Sequence, residues 1–220
     1  TKVEAGDTVG TTGLYNDSPS FVFEFYNNNL GIYEDPLVFF YQAVYASGTD
    51  VVSVALAEYT NYRVRQLSSE TKKYQDWCYT QLGWGIVSEK YDWCAFFVSW
   101  CGGQCYPNSS WPLSGSCNTI EGDAKSKGVY HERAGYTPQP GDIIFYDWPN
   151  RAGAPNHVGI VIGIEDGYVI TVEGNTGRPS GEPSNYTGSG KEPTGVWRKK
   201  HLLSDSQIMG YASYLPIVSP

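Results

Sequence analysis

Cys94 is the residue of this sequence best placed to act as a nucleophile. It lies just inside a segment with helical spacing, 92–101, and Asp92 ahead of it is a predicted N-cap. The free N–H groups of a first helical turn and the helix dipole favour a thiolate there, and the same groups can hold an oxyanion. The position therefore suits a thiol that attacks a carbonyl carbon.

A cysteine nucleophile needs a base, most often His, and a third group that orients the base. His157 begins one strand of a predicted hairpin whose turn is 165–167. Folding the chain back at this turn sets Glu173 or Asn175 opposite His157 or next but one to it. The hairpin therefore brings an imidazole, a carboxylate and an amide together over a short stretch of chain.

Each of these residues also has an ordinary structural explanation. A Cys on an apolar helix is commonly core filler, a His at a strand start is commonly a surface residue, and Glu-Gly-Asn is a common turn. The local convergence of three complementary groups favours a site over three unrelated explanations. Cys94 lies 63 positions before His157, so only tertiary packing can bring the thiol to the imidazole.

The elements that must position these groups are helices first and strands afterwards. Helical spacing occurs at 51–58, 70–82, 92–101 and 118–126. Strand patterns follow at 143–148, 157–164, 168–173, 196–201 and 208–214. This order predicts an α+β fold in which N-terminal helices pack on an antiparallel sheet.

Charge and hydropathy exclude several classes of function. Lys and Arg number 15 against 23 Asp and Glu, and the formal net charge of −8 argues against nucleic acid as a partner. No apolar run approaches the roughly 20 residues of a membrane span. Without an initiator Met or a signal peptide, we expect a piece of a longer protein. Aromatic residues make up 15%, which suits either a groove for sugars and peptides or a small aromatic core.

Five cysteines, an odd number, leave at least one thiol unpaired within the chain. A thiol used in chemistry and a buried structural thiol both fit this count. Cys101 and Cys105 are four apart on one helix, where disulfide geometry is poor. Cys105 with Cys117 is the most economical bridge, and reduced thiols are the alternative that we prefer. The three histidines lack H-x-H or H-E-x-x-H spacing, so we expect no metal site.

Four segments resemble the CHAP domains, the cysteine- and histidine-dependent amidohydrolases/peptidases, and they follow that family's order. Residues 92–101 resemble its nucleophile helix, and 140–145 resemble its first sheet strand. Residues 156–161 resemble the strand that carries the His, and 172–177 resemble the segment that carries Glu and Asn. The resemblance extends over about residues 50–216.

The resemblance implies a papain-like α+β fold and a role for each candidate residue. It implies Cys94 as the nucleophile, His157 as the base and Glu173 as the acid that orients the base. Asn175 is a supporting polar group in the same scheme. Chemistry of this kind needs no cofactor.

The substrate of that family is bacterial cell-wall peptidoglycan. The resemblance implies hydrolysis of an amide bond, either as an N-acetylmuramoyl-L-alanine amidase or as an endopeptidase of the cross-bridge or stem peptide. It also implies a protein that is secreted to the wall or delivered there as a phage lysin. Trp93 and Tyr91 are candidates to line a substrate groove, with core packing as the alternative. The alternative function is a non-catalytic wall-binding or scaffold protein that kept the fold.

The first 45 residues have a separate and fainter resemblance. Three short stretches within residues 3–37 resemble the tail of a lysostaphin-type zinc endopeptidase. Ser20 and Val22 stand where that family carries His-x-His, so the imidazole ligands of a zinc site are missing. We therefore expect residues 1–45 to be a truncated or degenerate β-rich remnant and residues 46–220 to be the catalytic domain.

Overall fold

The structure is a computed structural model, and it describes residues 13–15, 18–20, 25–27, 32–34, 50–62, 68–83, 92–148, 153–182, 189 and 192–218. The chain divides into two compact units, Thr1–Phe40 and Tyr41–Pro220. In the described part of the first unit, β1 (Gly13–Tyr15) pairs with β2 (Ser18–Ser20), and β3 (Phe25–Asn27) pairs with β4 (Ile32–Glu34). Both pairs are antiparallel ribbons of three-residue strands.

The second unit contains the elements that position the candidate site. Its described helices are α1 (Val51–Tyr62), α2 (Ser68–Gln81), α3 (Cys94–Cys105), α4 (Cys117–Ser126) and α5 (Leu215–Val218). Its described strands are β5 (Tyr130–Glu132), β6 (Ile143–Tyr146), β7 (His157–Glu165), β8 (Tyr168–Thr176), β9 (Gly195–Leu202) and β10 (Ile208–Ala212). The predicted elements are confirmed to within a few residues. β5 and α5 were not predicted, because elements of three or four residues carry no readable periodicity.

Six strands of the second unit form one antiparallel sheet in the order β5-β10-β6-β7-β8-β9. A two-residue turn joins β7 to β8, and both of its residues have positive φ, 49° at Asp166 and 80° at Gly167. A tight hairpin requires this turn conformation, so the predicted hairpin is confirmed. With the helices ahead of an antiparallel sheet, the predicted α+β fold is confirmed as well.

The helices pack on the middle of this sheet. α1 and α3 contact β7 and β8, and α2 packs on α3. Buried aliphatic and tyrosine side chains form a core cluster on the strands, which consists of Ile144, Tyr146, Val161, Val169, Ile208 and Tyr211. None of the described helices combines the length and the apolar character needed to cross a bilayer.

α3 packs so closely against two tryptophan rings that there is no space for a side chain at Gly102 or Gly103. A Cβ atom at Gly102 would lie 2.0 Å from the indole nitrogen of Trp111. A Cβ atom at Gly103 would lie 2.0 Å from the ring of Trp77. The rings of Trp111 and Trp77 occupy the space that those side chains would fill. The helix continues through both glycines to Cys105, although each glycine costs about 1 kcal/mol of helix propensity.

The start of α3 differs from the prediction. The N-cap residue is Trp93, and no side chain caps the helix there, so the prediction of Asp92 as the N-cap is wrong. The carboxylate of Asp92 instead accepts a hydrogen bond from the amide of Asn175 at 3.1 Å. The first-turn N–H groups of α3 are thereby left without a side-chain acceptor from the cap position.

Candidate active site

Cys94 is the first residue of α3 and is only 3% exposed. The start of α3 approaches β8 closely at Gly174. A Cβ atom at Gly174 would lie 2.6 Å from Cβ of Phe97 and 2.8 Å from the ring of Trp93. Because Gly174 has no side chain, α3 can lie this close to β8. The distance between the helix and the strand in turn determines how close the Cys94 thiol comes to the sheet.

His157 is the first residue of β7 and pairs with Tyr146 of β6. The indole of Trp148 stacks on its ring, with the centroids 4.2 Å apart and the planes inclined by 18°. The imidazole hydrogen-bonds to Cys94, and its Nε2 lies 2.9 Å from Oε2 of Glu173. Because Nε2 faces the carboxylate, Nδ1 is the nitrogen left to face the thiol.

Glu173 is fully buried and is surrounded by hydrogen-bond donors. Its Oε2 faces His157. Its Oε1 lies 2.8 Å from Nε2 of His201, and it accepts hydrogen bonds from Thr171 Oγ1 at 2.7 Å and from the Tyr146 hydroxyl at 3.0 Å. A buried carboxylate needs such donors to remain ionised, so this shell fixes both its charge and its orientation.

The register of the hairpin explains why His157 and Glu173 meet. β7 and β8 pair Ile160 with Val172. The next position along sets Glu173 beside Gly159, which is two residues from His157 and on the same face of the sheet. A Cβ atom at Gly159 would lie 2.7 Å from Cγ of Glu173. The missing side chain makes room for the carboxylate to reach the imidazole.

The electrostatics of the site favour a charged pair. Burial opposes ionisation of Glu173, but hydrogen bonds from His157 and His201 hold its pKa well below the usual range. Burial likewise opposes the charged form of His157, but hydrogen bonds to Cys94 and Glu173 raise its pKa to about 9. A hydrogen bond from Cys117 and the neighbouring imidazole lower the pKa of Cys94 well below its ordinary value. At neutral pH the arrangement stabilises a thiolate beside an imidazolium.

Cys117 is a second thiol in this site. It is the first residue of α4, and its Sγ lies 3.7 Å from Sγ of Cys94. The hydrogen bond to Cys94 and burial raise the pKa of the Cys117 thiol far above its ordinary value, so this sulfur keeps its proton. All five cysteines are free thiols, so the bridge considered between Cys105 and Cys117 is absent.

Asn175, Trp93 and Tyr91 are the remaining residues that the sequence predicted for the site. Asn175 has a φ of 58°, and its side-chain oxygen accepts a hydrogen bond from Thr194 at 2.9 Å while its amide donates to Asp92. The ring of Trp93 is half-buried and stacks on Tyr74, with centroids 5.5 Å apart. Tyr91 lies outside the described residues. The structure thus brings Cys94, His157 and Glu173 together and ties Asn175 to the residue two positions before Cys94.

Sequence reasoning missed His201, Tyr146, Thr171 and the position of Cys117. His201 lies in β9 opposite Val169 of β8. The sequence predicted the strand that contains His201. The connection between β8 and β9 is long, so no short turn indicated which residues of the two strands pair. No described group of His, Cys, Asp and Glu side chains has an arrangement that could hold a metal ion.

Comparison with known proteins supports the resemblance to the CHAP domains. The CHAP domain family model matches residues 86–175, which confirms the resemblance noted in the sequence. This family consists of peptidoglycan hydrolases, and the match includes Cys94, His157 and Glu173. The solved structure described as "The crystal structure of Ly7917" is 17% identical, with a TM-score of 0.36; the similarity covers 55% of this chain and 52% of that one, about half of each. The search of curated proteins finds no match.

Proposed function

Since residues 86–175 carry the match to a family of peptidoglycan hydrolases, we propose that this protein hydrolyses an amide bond of bacterial cell-wall peptidoglycan through the thiol of Cys94. The observation that carries the proposal is the chain of contacts from Cys94 to His157 to Glu173. That chain is the arrangement of nucleophile, base and orienting acid that covalent catalysis on a carbonyl requires.

The first half of the reaction forms a thioester. The thiolate of Cys94 attacks the carbonyl carbon of the scissile amide, and the carbonyl oxygen becomes an oxyanion. First-turn N–H groups of α3 have no acceptor within the helix, and they are available to stabilise that charge. His157 is the imidazolium at this stage, and it donates its proton to the leaving amine.

The second half releases the product. Neutral His157 accepts a proton from a water molecule, which attacks the thioester carbon and expels the thiolate. Glu173 stays ionised throughout and stabilises the imidazolium each time it forms. These steps need no cofactor.

Two bonds of peptidoglycan fit this chemistry. An N-acetylmuramoyl-L-alanine amidase frees the amino group of the stem alanine, and an endopeptidase frees an amine within the stem or at the cross-bridge. Mass spectrometry of muropeptides released from defined peptidoglycan distinguishes the two by the new N-terminus. Either substrate lies outside the cytoplasmic membrane, so the protein would act as a secreted wall enzyme or as a phage-delivered lysin.

A turbidity assay on purified cell walls tests the proposal. We expect the wild-type protein to clear the suspension, and we expect loss of clearing after thiol alkylation and in Cys94→Ala. Cys105→Ser is the matched control, because that thiol donates to the Cys101 carbonyl within α3 and does not contact the site. A wild-type protein that sediments with walls without releasing fragments would instead be a non-catalytic wall-binding protein.

A further inference from the structure

Two helix starts meet at one pair of sulfur atoms. Cys94 begins α3 and Cys117 begins α4, and their Sγ atoms are 3.7 Å apart. Both residues are nearly buried, at 3% and 9% exposure. A disulfide has an S–S bond of about 2.05 Å, so the sulfurs must approach by roughly 1.7 Å to form one. Rotation of two short side chains about their Cα–Cβ bonds supplies movement of that size.

The two sulfurs differ in protonation, and this difference divides their roles. Cys94 is held as a thiolate, while Cys117 keeps its proton and donates it in a hydrogen bond to Cys94. A thiolate is the form of cysteine that peroxides oxidise. A protonated thiol in contact with the oxidised sulfur is placed to resolve the first product into a disulfide.

The other thiols of the chain lack these properties. Burial raises the pKa of Cys78 and of Cys105 to about 12, and burial also raises the pKa of Cys101. Cys105 donates to the carbonyl of Cys101 at 3.4 Å, and Cys78 donates to the carbonyl of Phe96 at 3.7 Å. Oxidation should therefore begin at Cys94.

We propose that Cys94 and Cys117 form a peroxide-oxidised modification site that closes into a reversible disulfide. The Cys94 thiolate attacks one oxygen of the peroxide, which breaks the O–O bond and gives a sulfenic acid and hydroxide. The Cys117 sulfur then attacks the Cys94 sulfur. The S–S bond forms, the S–O bond breaks, and the hydroxyl leaves with the Cys117 proton as water. Two thiols are oxidised by two electrons, and one peroxide is reduced.

The disulfide removes the thiolate and prevents further oxidation of Cys94. Without a neighbouring thiol, a sulfenic acid proceeds with excess peroxide to sulfinic and sulfonic acids, which thiol reductants do not reverse. Cys117 therefore makes the oxidation recoverable. Loss of wall hydrolysis on oxidation rests on the proposed function, whereas the bridge itself is detected without any substrate.

Non-reducing peptide mapping of the full chain tests this inference. The protein is treated with hydrogen peroxide, quenched with N-ethylmaleimide under denaturing conditions and digested without reductant. We expect a peptide pair joined through Cys94 and Cys117. We also expect alkylation of native Cys94 by iodoacetamide to be lost after peroxide and restored by dithiothreitol.

Two variants make the test decisive. In Cys117→Ser, alkylation of Cys94 should again be lost after peroxide, but dithiothreitol should fail to restore it, and the Cys94 peptide should carry two or three oxygens. Cys105→Ser should behave as the wild type. The inference is overturned if peroxide leaves Cys94 fully alkylatable, if a bridge to another cysteine predominates, or if Cys117→Ser recovers as the wild type does.

His201 contacts the candidate site from β9, and its contacts support a second, independent inference. Its Nε2 lies 2.8 Å from Oε1 of Glu173, and its ring packs on Tyr146 with centroids 4.9 Å apart. Its side chain is 18% exposed, whereas Glu173 is fully buried. His201 thus contacts the orienting acid on the oxygen opposite to the one that faces His157.

The geometry assigns His201 as a positioning residue that fixes the rotation of the Glu173 carboxylate. Thr171 and Tyr146 also donate to the same oxygen, and Lys199 of β9 is the further charged group near it. An N–H donor at the position of His201 Nε2 is the required feature. This inference rests on the proposed function for its kinetic effect, but not for its effect on the reactivity of the Cys94 thiol.

The comparison of His201→Gln with His201→Leu tests this role, because the Gln side-chain amide can place a donor near the position of Nε2. We expect His201→Leu to lower kcat roughly tenfold with KM little changed, and to slow iodoacetamide alkylation of Cys94 several-fold at neutral pH. His201→Gln should recover most of both. Equal alkylation rates in the wild type and His201→Leu, or Gln and Leu variants that fall together, would overturn the assignment. Without any wall hydrolysis, the alkylation rates alone decide it.

Discussion

Cys94 combines deep burial with a charge, and its neighbours make that combination possible. Cys117 donates to the sulfur, and His157 supplies the opposite charge. The free energy that stabilises the thiolate therefore comes from two other elements of the fold, α4 and β7. Substitution of Cys94 should affect chemistry far more than folding, since the side chain is small.

Cys94→Ala is expected to abolish release of wall fragments, because the other thiol of the site, Cys117, keeps its proton and is not activated as a nucleophile. Loss of the buried sulfur should cost about 1 kcal/mol of unfolding free energy, which lowers Tm by about 2–4 °C for a chain of this size. Turbidity clearing and differential scanning calorimetry measure the two effects. Wall clearing at the wild-type rate would remove Cys94 from the mechanism.

The pH profile should depend on Glu173. The reactive form requires protonated His157, whose pKa is about 9, so activity should fall as the pH rises through that value. Glu173→Gln removes the negative charge that helps raise this pKa, so the alkaline limb should move to lower pH. Turnover should fall roughly tenfold to a thousandfold. The measurement is kcat/KM against pH on solubilised wall fragments.

Asn175 provides the contrast for that experiment. Its φ of 58° disfavours Ala, so Asn175→Gly removes the amide without adding backbone strain. We expect a smaller loss of kcat/KM than in Glu173→Gln and an alkaline limb near its original position. If Asn175→Gly is the crippling change and Glu173→Gln is mild, the amide is the orienting group.

At the scale of elements, the contact between α3 and β8 decides how the thiol of Cys94 meets the imidazole of His157. Gly174 follows Glu173 directly, so the same strand holds the carboxylate on one face and receives the helix on the other. A displacement of α3 would move Cys94 while leaving His157 and Glu173 in place on the hairpin.

Gly174→Ala is therefore expected to reduce both stability and activity. The new Cβ would overlap Phe97 and Trp93, and overpacking of this kind costs about 1–3 kcal/mol. Gly122→Ala in α4 is the matched control, since nothing lies within 4 Å of its Cβ position and alanine favours a helix by about 0.5–1 kcal/mol. Urea unfolding and wall clearing of both variants test the pair; a stable, fully active Gly174→Ala protein would contradict the argument.

At the scale of the whole molecule, the chain consists of two compact units with different prospects for chemistry. The candidate site lies in Tyr41–Pro220, and the thiol reaction that we propose for it needs no metal. In the first unit, Ser20 belongs to β2 and Val22 lies outside the described residues, and neither side chain is an imidazole.

We expect the full chain to bind no stoichiometric zinc and to clear walls equally with and without a chelator. The physical reason is the absence of paired imidazole ligands in the sequence, since aliphatic and hydroxyl side chains do not replace them at a zinc ion. Elemental analysis and turbidity assays with EDTA measure both points. Inactivation by EDTA that zinc reverses would show that the metal-free mechanism is wrong.

The sequence determined the features that depend on neighbouring residues. Asp166 and Gly167 specify the two-residue turn that makes the strands of His157 and Glu173 neighbours. A register shift between Val161 and Gly163, which the sequence did not predict, then sets Glu173 on the same face as His157. Periodicity located the main helices and strands, and their order specified an α+β fold. The turn, the main elements and their order follow from local backbone geometry and the periodicity of side chains, so no distant contact was needed to predict them.

Only the tertiary structure decided which distant residues complete the site. Cys117 reaches Cys94 because α3 and α4 bring their first residues together, and His201 reaches Glu173 because β9 pairs with β8 in one particular register. No short turn fixes either arrangement, and the free energy that selects them comes from packing the helices and strands into one core. For that reason the place of Cys117 and His201 in the site could not be predicted, although the sequence contains both residues.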